Sequence, residues 1–256
     1  MQRPPLAFAA AAKDSEEARL AESLATTVVW PEPIDDSEAG VDAWPTTAER
    51  TGPQAATFAP LGYESAYQYP LIVWLHGAGA DERCLPNVMT HVSVQNFVAT
   101  APRGVEAATE GYTWRQSAGA IDRAENAVAD AIEHAAERFS VRSSRVFLAG
   151  VGSGGTMALR IGLRRPEWFA GVASFDGAMP RGERPLARVN DARRLPLMLS
   201  AARESAAYPE SRLCRDLALL HSAGCCVEVR QHPGDDDLTT EMLADLNRWV
   251  MGLVCG

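Results

Sequence analysis

The residues with the clearest capacity for chemistry lie in the glycine-rich stretch FLAGVGSGGTMALR, residues 147–160. An apolar run, a cluster of glycines and a helix-forming run, in that order, predict a strand, a tight turn and a helix. A serine at the apex of such a turn, in the pattern Gly-x-Ser-x-Gly, is positioned to attack an ester carbonyl. When the glycines are aligned to that pattern, the apex residue is Gly152, and Ser153 follows one position later. The stretch predicts either a displaced nucleophile or a turn that lacks one.

Regular elements surround this turn and would position it. Apolar runs predict strands at 56–64, 69–77, 97–104, 145–150, 171–177, 195–202 and 225–233. Amphipathic or helix-forming runs predict helices at 124–139, 155–169, 211–224 and 239–254. Because the strands alternate with helices, we expect an α/β domain with a mostly parallel central sheet and helices on both faces.

Three stretches resemble the phospholipase/carboxylesterase family of α/β-hydrolases, which includes the acyl-protein thioesterases. They are PLIVWLHGAGADE at 70–82, SRVFLAGVGSGGTMALRIGLRRPEWFAGVAS at 144–174 and VEVRQHPGDDDLTTEMLADLNRWV at 227–250. The resemblance covers roughly residues 56–254 and implies the α/β-hydrolase fold. In that family a histidine, oriented by an acidic side chain, deprotonates the attacking serine.

The resemblance also implies a catalytic triad in which all three side chains have been replaced. The nucleophile position is Gly152, and the acid position in AARESAAYP is Ser205, with Glu204 beside it. The histidine position falls in HPGDDDLT, at Asp236 or at the aspartate on either side. A carboxylate with an ordinary pKa of about 4 is a weak base at neutral pH. These positions therefore predict a catalytically inactive protein that acts in ligand binding or protein assembly.

Other parts of the implied site can survive without the triad. In this fold the oxyanion is stabilised by backbone N–H groups, here those of Ala78 and Ser153. His76 and Gly77 belong to the loop after the first buried strand and are expected to line the cleft, with a structural role for His76. Large side chains are expected at the mouth of the cleft, where they would suit a small apolar or ester-like ligand: Trp114, Met179 and Tyr208.

An alternative interpretation keeps the protein an enzyme. Ser153 would then be the nucleophile of a serine esterase or thioesterase, with His232 as a relocated base. The acid would be Asp176, Glu204 or one of the aspartates at 235–237. Each candidate also has an ordinary structural interpretation, since serine favours helix starts and aspartate favours turns. The sequence leaves both interpretations open.

Composition excludes several other classes of protein. The chain has 256 residues and a net charge of −9, so nucleic acid and anionic membranes are poor partners. No apolar run is long enough to predict a membrane span. Five cysteines without a Cys-x-x-Cys motif predict neither a disulfide framework nor a metal site, and they favour a cytoplasmic location over secretion. The glycines at 150–155 lack the dinucleotide spacing, and no cofactor is expected.

The first part of the chain differs from the rest. Residues 1–58 are predicted to form a partly extended N-terminal arm, and residues 59–256 the hydrolase domain. Trp30 and Trp44 are unusual in a segment of this composition, because disordered segments contain few aromatic residues. They indicate docking of the arm onto a protein partner, a second copy of the chain or the arm's own domain.

Overall fold

The computed structural model describes residues 54–255, so the expectations for Trp30, Trp44 and the rest of the arm up to residue 53 lie outside the described residues. A seven-stranded sheet forms the centre, in the strand order β1-β3-β2-β6-β7-β8-β9. Neighbouring strands are parallel throughout, except that β1 runs antiparallel to β3. A separate hairpin consists of β4 and β5. The predicted mostly parallel sheet is confirmed.

The strands are β1 (Ala55–Phe58), β2 (Tyr69–Leu75), β3 (Val98–Pro102), β4 (Glu106–Ala107), β5 (Tyr112–Thr113), β6 (Val141–Val151), β7 (Gly171–Phe175), β8 (Leu197–Ala202) and β9 (Val227–His232). The α-helices are α1 (Leu85–Val92), α2 (Ala118–Arg138), α3 (Ser153–Arg164), α4 (Val189–Ala192), α5 (Glu210–Ser222) and α6 (Thr240–Cys255).

Helices cover both faces of the sheet, as the alternation of elements predicts. On one face α2, α3 and α5 contribute Ile121, Ile161 and Leu213 to an apolar cluster. On the other face α1 and α6 contribute Met89 and Leu246 to a second cluster. Strand side chains alternate between the two clusters, which is why the strands read as continuous apolar runs in the sequence.

Several elements differ from the sequence expectations. The sheet begins at Ala55, so β1 belongs to the domain although the arm was expected to extend to residue 58. Helix α1 was not predicted, although Leu85, Val88, Met89 and Val92 follow its apolar period. Helix α3 ends at Arg164 and not at 169, because Pro166 disfavours helical backbone in the preceding residue.

Arg160 is a buried cation at the centre of α3. Its side chain is fully buried, and none of the ion pairs between described residues includes it. The guanidinium donates instead to Gln116 Oε1 at 3.0 Å and to the carbonyl oxygens of Arg181 and Gly182, both at 2.7 Å. Arg160 therefore fixes the chain that follows β7 against helix α3.

Replacing Arg160 by alanine is expected to lower the free energy of unfolding by about 2–4 kcal/mol, because it empties a buried volume and leaves three oxygen atoms without a donor. Chemical denaturation followed by circular dichroism measures the change. Arg215→Ala on α5 is the control, since Arg215 is exposed and a surface change alters stability by about 0.5 kcal/mol or less. Equal effects of the two substitutions would show that Arg160 does not anchor this segment.

Candidate active site

Five parallel strands end at the same edge of the sheet and bring the candidate residues together. The segments that follow β2, β6, β7, β8 and β9 carry, in that order, Ala78, Gly152, Asp176, Ser205 and Asp236. Open α/β sheets bind ligands outside the carboxyl ends of their strands. This edge is therefore the candidate site.

Gly152 occupies the apex between β6 and α3, with φ 54° and ψ −115°. Its backbone N–H donates to Phe175 O at 2.8 Å, which joins the apex to the end of β7. A Cβ atom at Gly152 would meet no other atom within 4 Å, whereas at Gly154 it would lie 2.2 Å from Leu75 O. Gly154 is thus required by close packing, but there is space for a side chain at Gly152.

Ser153 is the first residue of α3, one position after the apex. Its Oγ is buried and, among residues 54–255, has no hydrogen-bond partner. The structure therefore does not place Ser153 in contact with a histidine.

His232, the base of the alternative interpretation, faces the C-terminal helix. It is buried at the end of β9, and its Nε2 lies 3.2 Å from Asp245 Oδ2 on α6 without the geometry of a hydrogen bond. Asp245 also pairs with Arg248. The side chain is thus directed at the C-terminal helix, and Asp245 is a partner that the sequence analysis did not anticipate.

Ser205 and Asp236, the predicted acid and histidine positions, are in direct contact. Ser205 Oγ donates to Asp236 Oδ1 at 2.5 Å, and the Ala207 N–H donates to the same atom at 3.1 Å. These two hydrogen bonds hold the pKa of Asp236 below its usual value, and the one from the Ser205 hydroxyl has the larger effect. Of the three consecutive aspartates, Asp236 is therefore the one that faces Ser205.

Asp176 combines three unfavourable features next to the apex. It follows β7 with φ 48°, a left-handed conformation that side chains rarely adopt. It is 5% exposed, its Oδ1 accepts the Ala202 N–H at 2.9 Å, and its Oδ2 has no partner among the described residues. Burial, with a smaller contribution from Asp236, raises the pKa of Asp176 to about 6.

His76 has contacts that fit the expected structural role. It is fully buried, its Nε2 accepts the Gly104 N–H at 2.9 Å, and its Nδ1 lies 2.7 Å from Gly77 O. These contacts require the neutral ring with its proton on Nδ1. Burial accordingly lowers the pKa of His76.

The three side chains expected at the mouth of the cleft lie in the interior, and their contact with a ligand stays a prediction. Trp114, Met179 and Tyr208 are each 3% exposed or less. Trp114 Nε1 donates to His76 O at 3.0 Å, and Tyr208 Oη donates to Asp216 Oδ2 at 3.0 Å. They are held by packing and hydrogen bonds beneath the site.

The two expected oxyanion donors are present as free backbone groups. Within the described part of the chain, neither the Ala78 N–H nor the Ser153 N–H donates to a protein acceptor. The loop that carries Ala78 is fixed by its neighbour, since the Gly79 N–H donates to Tyr112 O at 3.0 Å. The assignment of these two N–H groups as oxyanion donors stays a prediction.

Solved structures with the same architecture include carboxylesterases. One is a carboxylesterase from Mesorhizobium loti, with a TM-score of 0.62 and 20% identity over 75% of this chain and 91% of that one. Another is the Arabidopsis thaliana protein SOBER1, with a TM-score of 0.61 and 18% identity over 73% of this chain and 99% of that one. The protein has the α/β-hydrolase fold. The resemblance of its motifs to carboxylesterases of this fold is confirmed, and identities this low show the fold alone.

The amino-acid sequence is similar to part of one curated protein. The protein described as "Putative esterase NocK" from Nocardia uniformis subsp. tsuyamanensis is 30% identical over 118 residues. The match covers 43% of this chain and 33% of that protein, so the chain spans about a third of its length. No family model matches the chain.

The described residues offer neither a metal site nor a membrane span. Between residues 54 and 255, no three His, Cys, Asp or Glu side chains are grouped so that they could hold a metal ion. None of the helices in that range has the length and apolar character needed to cross a bilayer.

Proposed function

We propose that this α/β-hydrolase does not hydrolyse esters and that its site at the carboxyl ends of the strands binds a ligand or a partner. The observation that carries the proposal is the apex itself. Gly152 has an open position for a side chain, flanked by free N–H groups, but it supplies no nucleophile. The acid and histidine positions, Ser205 and Asp236, bond to each other and supply no imidazole.

The histidines support the same conclusion, because none is placed to activate Ser153. All five lie within the described residues. His76 has both ring nitrogens engaged in loop contacts, and His232 Nε2 faces Asp245 Oδ2 at 3.2 Å. The other three are on helices α1, α2 and α5. A serine without a general base is a poor nucleophile at neutral pH.

Labelling with a fluorophosphonate probe, together with turnover of a short-chain p-nitrophenyl ester, tests the proposal. The folded wild-type protein is expected to show neither labelling nor turnover above the level of Ser153→Ala. Ser222→Ala, which removes a hydroxyl at the far end of α5, is the matched control.

The opposite result would support the alternative enzyme. If labelling and turnover occur and disappear together in Ser153→Ala but persist in Ser222→Ala, the protein is a serine esterase with a displaced nucleophile. Its base would then have to be identified, because His232 is directed at Asp245 in this structure.

Docking of the N-terminal arm on a partner stays a prediction.

A further inference from the structure

An apolar cavity lies outside the candidate active site, between the second half of α2 and the first residues of β6. Its volume is about 390 Å³, and Ile132, Val141, Val146 and Trp168 form much of its wall. The cavity opens to solvent, since Ile132 and Trp168 are only partly buried and Ala136 at its rim is exposed. Uncovered apolar surfaces of this kind are typical of sites that bind a protein segment.

An arginine face adjoins the apolar cavity at the end of α3 and around α4. It consists of Arg164, Arg165, Arg184, Arg188 and Arg194, which line two further cavities of about 420 and 410 Å³ that share Arg188. The Arg165 guanidinium lies over the Trp168 ring, 5.4 Å from its centre, and Glu167 lines both the second of these cavities and the apolar one. The arginine face and the apolar cavity therefore form one continuous surface.

The arginine face keeps part of its positive charge unpaired. Three of its members bind carboxylates on α2, on the turn after α3 and on α4. Arg184 and Arg194 are exposed, and none of the ion pairs between described residues includes them. Residues 181–194 contain five arginines and only two acidic residues. This part of the surface therefore attracts an acidic group.

A segment with the matching chemistry precedes the described residues in the same chain. Residues 30–44 read WPEPIDDSEAGVDAW, with five acidic residues, no basic residue and a tryptophan at each end. The surrounding stretch 20–49 also contains no lysine or arginine. Carboxylates complement the unpaired arginines, and an indole ring complements the apolar cavity. The acidic segment, residues 30–44, thus has both groups that the surface requires.

The length of the chain decides which tryptophan reaches the cavity. Gln54 joins the sheet at the carboxyl end of β3, whereas the apolar cavity lies at the start of β6. A domain of about 200 residues is about 40 Å across. At about 3.3 Å per residue, the chain from Trp30 to Gln54 spans about 80 Å, and the chain from Trp44 to Gln54 only about 33 Å. Trp30 can therefore reach the cavity along the surface of the domain, and Trp44 cannot.

The neighbours of Trp30 also fit the rim of the cavity. Glu133 and Glu167 border the cavity and would repel a carboxylate placed directly beside it. The residues next to Trp30 are apolar, namely Val28, Val29 and Pro31. The acidic residues begin at position 32, so the chain that leaves the cavity can carry them towards the arginine face.

We propose that the acidic segment binds to its own domain, with Trp30 in the apolar cavity and the carboxylates of residues 32–42 on Arg184 and Arg194. Because the segment is tethered, its effective concentration is in the millimolar range, and a modest contact is enough to keep it bound. The surface lies at the opposite end of the sheet from the apex. The contact is therefore independent of the proposed function.

Limited proteolysis of the full chain with a glutamate-specific protease tests the proposal. Mass spectrometry compares cleavage after Glu38, inside the acidic segment, with cleavage after Glu17, outside it, and both bonds precede an alanine. In the wild type, cleavage after Glu38 is expected to be at least about tenfold slower, because proteolysis follows the population of the open form.

Three variants should remove the protection of Glu38. Trp30→Ala removes the ring, and Ala136→Trp fills the cavity with a side chain of the domain itself, so each is expected to speed cleavage at least about tenfold. The double variant Arg184→Glu, Arg194→Glu is expected to speed it at least about fivefold. Because Ala136→Trp leaves the segment unchanged, it separates loss of the contact from a change in the cleaved sequence.

Matched controls are Trp44→Ala and the double variant Arg83→Glu, Arg215→Glu, which changes the net charge equally at exposed positions outside the three cavities. Both controls should keep the protection. Equal cleavage of the two bonds in the wild type would overturn the proposal and leave the surface open to an acidic partner. Equal effects of the two arginine pairs would also overturn it. Protection that grows with protein concentration would assign the segment to a second copy of the chain and overturn the intramolecular contact.

Discussion

The combined substitution Gly152→Ser, Ser205→Asp and Asp236→His is expected to give the protein esterase activity at least about a thousandfold above wild type. Removing a complete triad in a serine hydrolase costs a factor of about 10⁶ in kcat, so even an imperfect triad should give a large gain. Under the proposed function, any wild-type activity would come from oxyanion stabilisation and binding alone.

The geometry favours this gain at each of the three positions. A Cβ atom at Gly152 would meet no atom within 4 Å beyond its chain neighbours. Ser205 Oγ and Asp236 Oδ1 are already 2.5 Å apart, so a carboxylate and an imidazole introduced there are neighbours. Serine rarely adopts the left-handed φ of 54° found at Gly152. The substitution should therefore lower the free energy of unfolding by about 1–3 kcal/mol, which a thermal melt can measure.

Turnover of p-nitrophenyl acetate measures the result, and Gly152→Ser alone is the control because it adds a nucleophile without a base. A fourth substitution, Ser153→Ala, should leave the gain intact, which distinguishes the new serine from the native one. A triple variant that folds but shows no turnover would mean that the apex and the Ser205–Asp236 pair are not aligned with each other.

Asp176→Asn is expected to stabilise the protein by about 1–3 kcal/mol at pH 8 and by much less at pH 4. The pKa of Asp176 is about 6 in the folded protein, against 3.8 when unperturbed. Between these values the folded state binds more protons than the unfolded state, so this carboxyl lowers stability as the pH rises from about 4 to 6. Asparagine does not titrate, and it also tolerates the left-handed backbone.

Urea denaturation of the wild type and the variant at pH 4, 6 and 8 provides the measurement. Asp130→Asn is the control, because Asp130 is exposed on α2 and should show no such dependence. A stabilisation of the same size at all three pH values would mean that Asp176 is not held in its protonated form by burial. A pH-dependent stabilisation would show that the native aspartate is kept at a cost, which is typical of functional sites.

The sequence was most informative where local patterns decide the structure. Strand β2 is readable as a continuous apolar run and helix α6 from its apolar periodicity, and the glycines around Gly152 predict the tight turn. Partners far apart in the chain could not be predicted. The His232–Asp245 pair depends on how α6 packs on β9, and the choice of Asp236 among three aspartates depends on the loop that brings it to Ser205. The hydrogen bond from Trp114 Nε1 to His76 O likewise joins two residues that are 38 positions apart in the chain.

The antiparallel direction of β1 determines where the N-terminal segment is attached. Ala55 pairs with Pro102 at the carboxyl end of β3, and Phe58 pairs with Ala99 towards its other end. The chain before Gln54 therefore joins the domain at the edge of the sheet that carries the apex. A side chain in residues 1–53 is therefore covalently linked to the domain at the same strand ends as the apex. Binding of such a side chain at the apex would be intramolecular, so the bound fraction would not depend on protein concentration.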